Sequence, residues 1–386
     1  MSNGVPATVR VLTTQAELAA LRTDWTTLLT RTSTANVFLT FEWLSTWCHY
    51  YGAGAQLCIL AAYERDELIG LAPLVIQDRR LAGVRLFRRV AFLGNGLSDR
   101  LDMLLAPGAE RVVLEAFVSH LRLQRWDVLD LQDVPEDSPT AKLLPQIAEC
   151  PGARVEVSQQ SICPVVTFRG DTAGQFASFG RHLRQNIGYY GRRLRRRHEV
   201  AIDVVHGGPQ LTEHLDGFTR VYRKAFADRP DTHEVISDRF AAFRRDAAVR
   251  LAEHGHLMLT LLRLDRVVVA GELCFPFRAT CYRYNCCYDP AWKDEHLGTV
   301  LLWETMRAAI DIGCREYDFL RGDEPYKFQW GAQPRRHVRI RVSRVSPKLR
   351  LLEAGARWLR RRHAHAEGRS MKHLSRTEDA ACLTDG

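Results

Sequence analysis

The chain has 386 residues, 46% of them hydrophobic and 26% charged: enough apolar matter for two ordinary domain cores, and too much for wholesale disorder. No apolar run approaches the roughly 20 residues that span a bilayer, and the opening stretch MSNGVPATVRVLTTQAEL holds no apolar signal segment. From Arg335 onward there are 14 Lys+Arg against 5 Asp+Glu, which is the whole of the net charge of +9. The remaining body is neutral, so a general nucleic-acid-binding surface is excluded. The 10 cysteines form no CxxC pair and sit mostly in strand-like apolar text such as LCIL and ELCFPF. They read as reduced, buried thiols of a cytoplasmic protein.

In chain order, residues 13–31 read as a helix, with Leu18, Leu21, Trp25, Leu28 and Leu29 on one face and Thr14 as cap. FEWLSTWCHYY (41–51) is a second, aromatic-rich helix. LCILAAYERDELIGLAPLVIQ is a hairpin turning at Glu64–Glu67. After FLGNGLSDRLDMLL, a helix over 109–124 leads into the apolar strand WDVLDLQDVP. The second half repeats this order. Helices carry Phe218, Val221, Tyr222 and Phe226, then 237–254; the hairpin LMLTLLRLDRVVVAGELCFPF turns at Asp265-Arg266. A third strand (ATCYRYNCCYD), the helix GTVLLWETMRAAIDIG and the strand EYDFLRGDEP follow. The hairpin turns repeat at an offset of 199 residues (Asp66, Asp265) and the helix-then-strand pieces at 191 (Asp127, Asp318), which predicts a duplicated α/β unit. Only the strand–helix–strand crossover of each unit requires parallel pairing, so mixed sheets are expected. The units divide as 1–165 and 166–345, with 346–386 as a basic amphipathic helix and disordered tail.

The densest chemistry is EYDFLRGDEPYKFQWG (316–331), where a guanidinium, two carboxylates, a phenol and an amine follow a strand end. A solvated charged turn with internal ion pairs is the plain alternative. YDPAWKDEHLGTVLLWETMRAAIDIGCREYDFLRGDEPYKFQWG resembles the C-terminal signature of the GNAT-superfamily group described as CelD-type (cellulose or exopolysaccharide biosynthesis) acetyltransferases, relatives of the Fem-type aminoacyltransferases. FLGNGLSDRLDMLL and NVFLTFEWLSTWCHYYG resemble the same group's N-terminal lobe. Two places depart from its pattern: His296-Leu297-Gly298 stands where the group has proline-glycine, and Arg100 where a tyrosine follows Ser98-Asp99.

The resemblance implies tandem GNAT-like (acyl-CoA N-acyltransferase) α/β units that transfer an acyl group from acetyl-CoA or another acyl-CoA to an amine or hydroxyl of a sugar or envelope precursor. Acyl-CoA is then a co-substrate, and no cofactor is held permanently. Such transfer needs a base for the nucleophile's proton and a donor for the leaving group. Asp323 or Glu324 would supply the first and Tyr326 the second, with Lys327 or Arg321 on an anionic group or the developing oxyanion. The turn before the crossover helix would receive the CoA pyrophosphate, making His296, Gly298 and Thr299 donor-site candidates. Asp99 and Asp102 would line the substrate cleft with Trp330; Arg181 and Arg184, on a helix with seven arginines and no acid (181–197), would hold substrate phosphates.

The expected partner is a small-molecule or lipid-linked sugar acceptor and not nucleic acid, tRNA being the one exception. A Fem-like transferase using aminoacyl-tRNA and a non-catalytic scaffold in polysaccharide assembly are the alternatives. The stretch 347–365, with Leu349, Leu352, Ala356 and Leu359 on one stripe among arginines, would either lie on the inner membrane surface or dock on the body. EHGH (253–256) lacks metal-ligand spacing, GNGLSD is not a nucleophile elbow, and no P-loop or dinucleotide fingerprint occurs, so no metal is expected.

Overall fold

The computed structural model describes residues 7–81, 84–227 and 234–345; the expected basic helix at 347–365 lies outside the described residues. The first half runs β1 (Thr8–Leu12), α1 (Gln15–Ala20), α2 (Arg22–Arg31), α3 (Phe41–Tyr51), β2 (Ala55–Glu64), β3 (Glu67–Leu81), β4 (Val84–Phe92), β5 (Leu104–Leu105), α4 (Glu110–Leu123), β6 (Val128–Pro135) and α5 (Pro139–Ala148). Then come β7 (Ala153–Thr167), α6 (Thr172–Ser178), α7 (Arg181–Arg197), β8 (Val200–Val205), α8 (Leu211–Phe226), α9 (Asp238–Ala252), β9 (Met258–Leu264), β10 (Val267–Phe277) and β11 (Thr280–Tyr288). The described residues close with α10 (Leu297–Asp311), β12 (Glu316–Asp318), α11 (Pro325–Gln329) and β13 (Gln333–Arg344).

Local chemistry accounts for most boundaries. Thr14 and Glu17 form a capping box that starts α1, and the chain re-caps at Leu21, so the single helix expected over 13–31 is two. The Thr40 hydroxyl accepts from the Trp43 amide and starts α3 at the expected residue. Asp265 and Arg266, at φ 50° and 69°, make the two-residue turn whose twist suits a β-hairpin.

The strands join one mixed sheet of 13 in the order β1-β2-β3-β4-β6-β13-β7-β12-β11-β10-β9-β8, with β5 on β3. Two pairs are parallel, β4 with β6 and β11 with β12, and each is bridged by a helix, α4 and α10. This is the crossover arrangement that the pattern predicts. The strand order is less simple. β13, the last strand among the described residues, lies between β6 and β7, and β7 passes on to pair with β12 of the second half.

Helices α8 and α9 cover one face of the second half, α7 and α10 the other, so β10 is buried on both faces and reads as a near-continuous apolar run. From the first half, α3 seats Trp43 against Phe243 of α9 and Phe275 and Tyr284 of the sheet, with ring centroids 5.1, 5.7 and 5.0 Å away. These edge-on aromatic contacts lock the halves together. Seven of the nine cysteines in the described residues are buried, and all nine are free thiols.

Candidate active site

β11 and β12 run parallel for three residues, Thr280 opposite Glu316 to Tyr282 opposite Asp318. Beyond that they part, because the chain after Asp318 turns away: Leu320 takes φ 57° and Gly322 φ 117°. Only glycine adopts the second value readily, and a Cβ there would sit 2.5 Å from a Glu324 carboxylate oxygen. Lys327 fixes this turn from beneath. Its ammonium, 3% exposed, donates to the carbonyls of Arg321 and Gly322 at 3.1 and 3.0 Å and pairs with Glu324 at 2.8 Å. The amine thus shapes the turn, while Asp323 is exposed and makes no hydrogen bond or ion pair among the described residues.

A buried ion pair occupies the gap where the strands part. Arg283 of β11 donates through Nε to Glu272 of β10 at 3.0 Å, and the Tyr317 hydroxyl donates to the same carboxylate at 2.9 Å. The guanidinium's Nη1 donates to the Tyr326 oxygen at 2.8 Å. With its oxygen accepting, the phenol keeps its own hydrogen for another partner. Burial pushes Tyr326 up to about 12 against the pull of Arg283, so the phenol holds its proton throughout the neutral range.

The first half meets this turn through Arg321. Its guanidinium pairs with Asp99 at 2.9 Å and Asp133 at 3.1 Å and reaches the Ser98 carbonyl at 3.3 Å. Burial raises Asp133 to about 6, with Arg321 opposing and Asp99 adding to the rise; Asp99 is raised for the same first reason. Trp43 donates to the Ser98 hydroxyl at 2.8 Å, which ties the loop to α3. Arg100, where the resembling group has tyrosine, pairs with the fully buried Asp318 at 2.9 Å. Asp102 is fully buried, accepts from the Met103 amide at 2.8 Å, and is raised by burial to about 6. His337 on β13 has no exposed surface and, among the described residues, no hydrogen-bond partner for either ring nitrogen; burial, then Arg100 and Arg321, push it down to about 3, so it is neutral.

Away from this cluster, no side chain caps the first turn of α10 and none of its residues there is acidic. A Cβ at Gly298 would meet nothing within 4 Å, so an anion has room. His296, at φ 50°, stacks on Tyr190 of α7 at 4.0 Å, and Thr299 donates its amide to the His296 carbonyl at 3.2 Å. Immediately before it, Glu295 is held by Arg197 at 2.6 Å and Arg193 at 3.7 Å, and Arg195 faces Glu304 at 3.6 Å. The acid-free sequence of α7 therefore finds its acids on the neighbouring turn and helix. Arg181 and Arg184 stand at the other end of α7, about 18 and 14 Å along the axis from Arg193. Trp330 packs on Phe179 at 5.2 Å and lines a pocket of about 620 Å³ with Arg169 and Phe328.

Of the sequence candidates, the fold thus gathers Arg321, Asp99, Glu324, Tyr326 and Lys327 around one turn. It sets Asp102 inside the first half, His296, Gly298 and Thr299 at the start of α10, and Arg181, Arg184 and Trp330 near the start of α7. Four residues enter that sequence reading passed over: Glu272, Arg283, Asp133 and His337. Asp133 carried a signal, since DLQDVPED is the first-half counterpart of RGDEP. Among the described residues no three His, Cys, Asp or Glu side chains group as a metal site.

This is the GNAT-type acyltransferase fold: residues 181–328 match the family described as the acetyltransferase (GNAT) domain. No curated protein matches the chain. Among solved structures it is similar to FemX, at 12% identity and a TM-score of 0.60 over 83% of this chain and 95% of that one. It is also similar to the C-terminal domain of a putative lysylphosphatidylglycerol synthetase from Agrobacterium fabrum (12%, TM-score 0.53, 88% and 96% covered). A third likeness is L-PGS from Bacillus licheniformis (10%, TM-score 0.53, 91% and 97% covered). At such identities the likeness is one of fold.

Proposed function

We propose that the chain transfers an acyl group from acyl-CoA to an amine or hydroxyl of a sugar or cell-envelope precursor, as two GNAT-like units, 1–165 and 166–345, in the manner of the CelD-type group. The observation that carries this reading is Tyr326: a protonated phenol, its oxygen fixed by Arg283, beside the gap where β11 and β12 part. There it donates its proton to the leaving thiolate. Asp133, titrating at about 6, takes the proton of the attacking amine or hydroxyl, with Asp99 and Arg321 orienting the acceptor. Asp323 and Glu324 become secondary candidates for the base, since both face solvent. Lys327 positions the turn. The pyrophosphate of the donor would rest on the uncapped start of α10 at Gly298 and Thr299.

A second reading, Fem-like transfer from aminoacyl-tRNA, draws support from the acidic Glu295 and the His296–Tyr190 stack at the start of α10. One glycine stands there where a CoA loop commonly has several. Two measurements separate the readings. Thiol release from acetyl-CoA and longer acyl-CoA thioesters, with mass spectrometry of co-purifying small molecules, tests the first; filter binding to charged tRNA at low and high salt tests the second. Absence of CoA binding and turnover, with salt-sensitive binding of charged tRNA, would replace the first reading by the second. Activity with neither donor would favour the scaffold reading.

A further inference from the structure

β3 and β4 continue past the sheet that holds them. β2 pairs with β3 only as far as Gln77, and β6 meets β4 only at Arg89 and Val90. The ladder between β3 and β4 nevertheless runs on, Asp78 opposite Arg88, Arg79 opposite Phe87, Arg80 opposite Arg85 and Leu81 opposite Val84. The result is a two-stranded ribbon whose outer edges have no neighbouring strand among the described residues. Four arginines on it stand against one acid, Asp78, which Arg88 holds at 3.1 Å and Arg80 and Arg85 approach at 3.6 and 3.9 Å. Arginines alone would be an ordinary device against edge-to-edge pairing. Such a device does not explain the tip, where the cross-strand pair Leu81 and Val84 is 67% and 66% exposed. An apolar pair that costs free energy in water, with guanidinium groups behind it, matches the layered chemistry of an anionic bilayer: acyl chains below, phosphate above.

We propose that the two strand ends 78–81 and 84–88 form a membrane-interface anchor that sets Leu81 and Val84 into the headgroup boundary of an anionic lipid surface, with Arg79, Arg80 and Arg85 on the phosphates. This does not depend on the acyl-transfer reading. Charge complementarity selects lipid, because the phosphate layer and the apolar layer are both answered within one hairpin. A nucleic acid would answer only the arginines.

The test is co-sedimentation of the full chain with vesicles of phosphatidylcholine alone and with 30 mol% (about one lipid in three) phosphatidylglycerol. Binding is expected only to the second, weakening with salt. Arg80→Glu with Arg85→Glu should lower the partition coefficient at least about 25-fold, from roughly fivefold per arginine lost. Leu81→Asp with Val84→Asp should also lower the partition coefficient at low salt, because it removes the inserted apolar pair and sets two carboxylates against the anionic surface. Circular dichroism and the unfolding midpoint should match wild type for both double variants, as the ribbon lies outside the cores. The proposal is overturned if neither double variant changes binding while removal of 346–386 abolishes it. It is equally overturned if the chain retains duplex RNA or heparin but no vesicles.

Discussion

Replacing Tyr326 by phenylalanine removes one oxygen from the gap between β11 and β12 and leaves the ring on Phe319, 6.2 Å away. Two consequences can be worked out separately. For stability, Arg283 loses one acceptor but keeps Glu272, so the cost is one hydrogen bond to a charged donor, about 1.5–3 kcal/mol in urea unfolding. For activity, the loss of a positioned general acid should lower kcat by ~10²–10⁴-fold. kcat/KM should fall in the same ratio, because the hydroxyl acts only as the thiolate departs. The assay is thiol release from the acyl-CoA that supports turnover, at saturating donor. Because Tyr326 titrates at about 12, wild type should show no alkaline limb from this group below about pH 10. A variant within a few-fold of wild type would refute the assignment. So would a loss of activity that merely followed a loss of folded protein.

Four further outcomes follow from the same geometry. The acid limb of the pH–rate profile should fall at about pH 6, since Asp133 acts as base only once deprotonated; Asp133→Asn should remove the limb together with most of the rate. Asp102→Asn should gain on wild type in stability as pH rises. The folded-state carboxyl at about 6 lies above its unfolded value of 3.8, so wild type loses stability between those values and the amide does not; urea midpoints at pH 4.5 and 7.5 (about 1.5 units outside the window at the upper end) give the comparison. Asp318→Ala should cost about 3–5 kcal/mol, because Arg100 would be left buried and unpaired, whereas an exposed pair such as Arg111–Glu115 should cost under about 1 kcal/mol. Gly322→Ala should destabilise by about 1–3 kcal/mol, through φ 117° and the contact with Glu324, and a calorimetric scan would show it.

Elements with strong local signals were legible in the sequence. The helix 41–51, the Asp265-Arg266 turn and the crossover before EYD all rest on period and capping, which act over a few residues. The 13–31 helix was legible in extent but not in its break, since Leu21 carries no breaker chemistry. Strand exchange was not legible. QPRRHVRIRVSR alternates as a strand should, but alternation says nothing of which neighbour it finds. The site was readable in location through 316–331 and less so in its roles. Lys327 looks like chemistry in a list of residues, and only its burial beneath two carbonyls shows that it holds the turn. Arg283 and Glu272 were hidden because neither sits in a polar cluster along the chain; they meet across two strands. Asp133 became prominent through φ 58° and its partner Arg321, 188 residues away in sequence.

The position of β13 bears on how the protein is made. Its landing place beside β6 is ready when Pro135 leaves the ribosome, yet Gln333 follows about 200 residues later. At about 5–20 residues per second that is roughly 10–40 s during which the edge of β6 waits without its eventual neighbour. Through that interval Asp130, later clasped by Arg339 of β13, has Arg89 and the Gln132 amide beside it. A charge pair set into the naked edge is a deterrent to wrong strands. The centre of the sheet therefore closes only once β13 has emerged, and chains cut short before residue 333 should be the ones that aggregate or meet proteases.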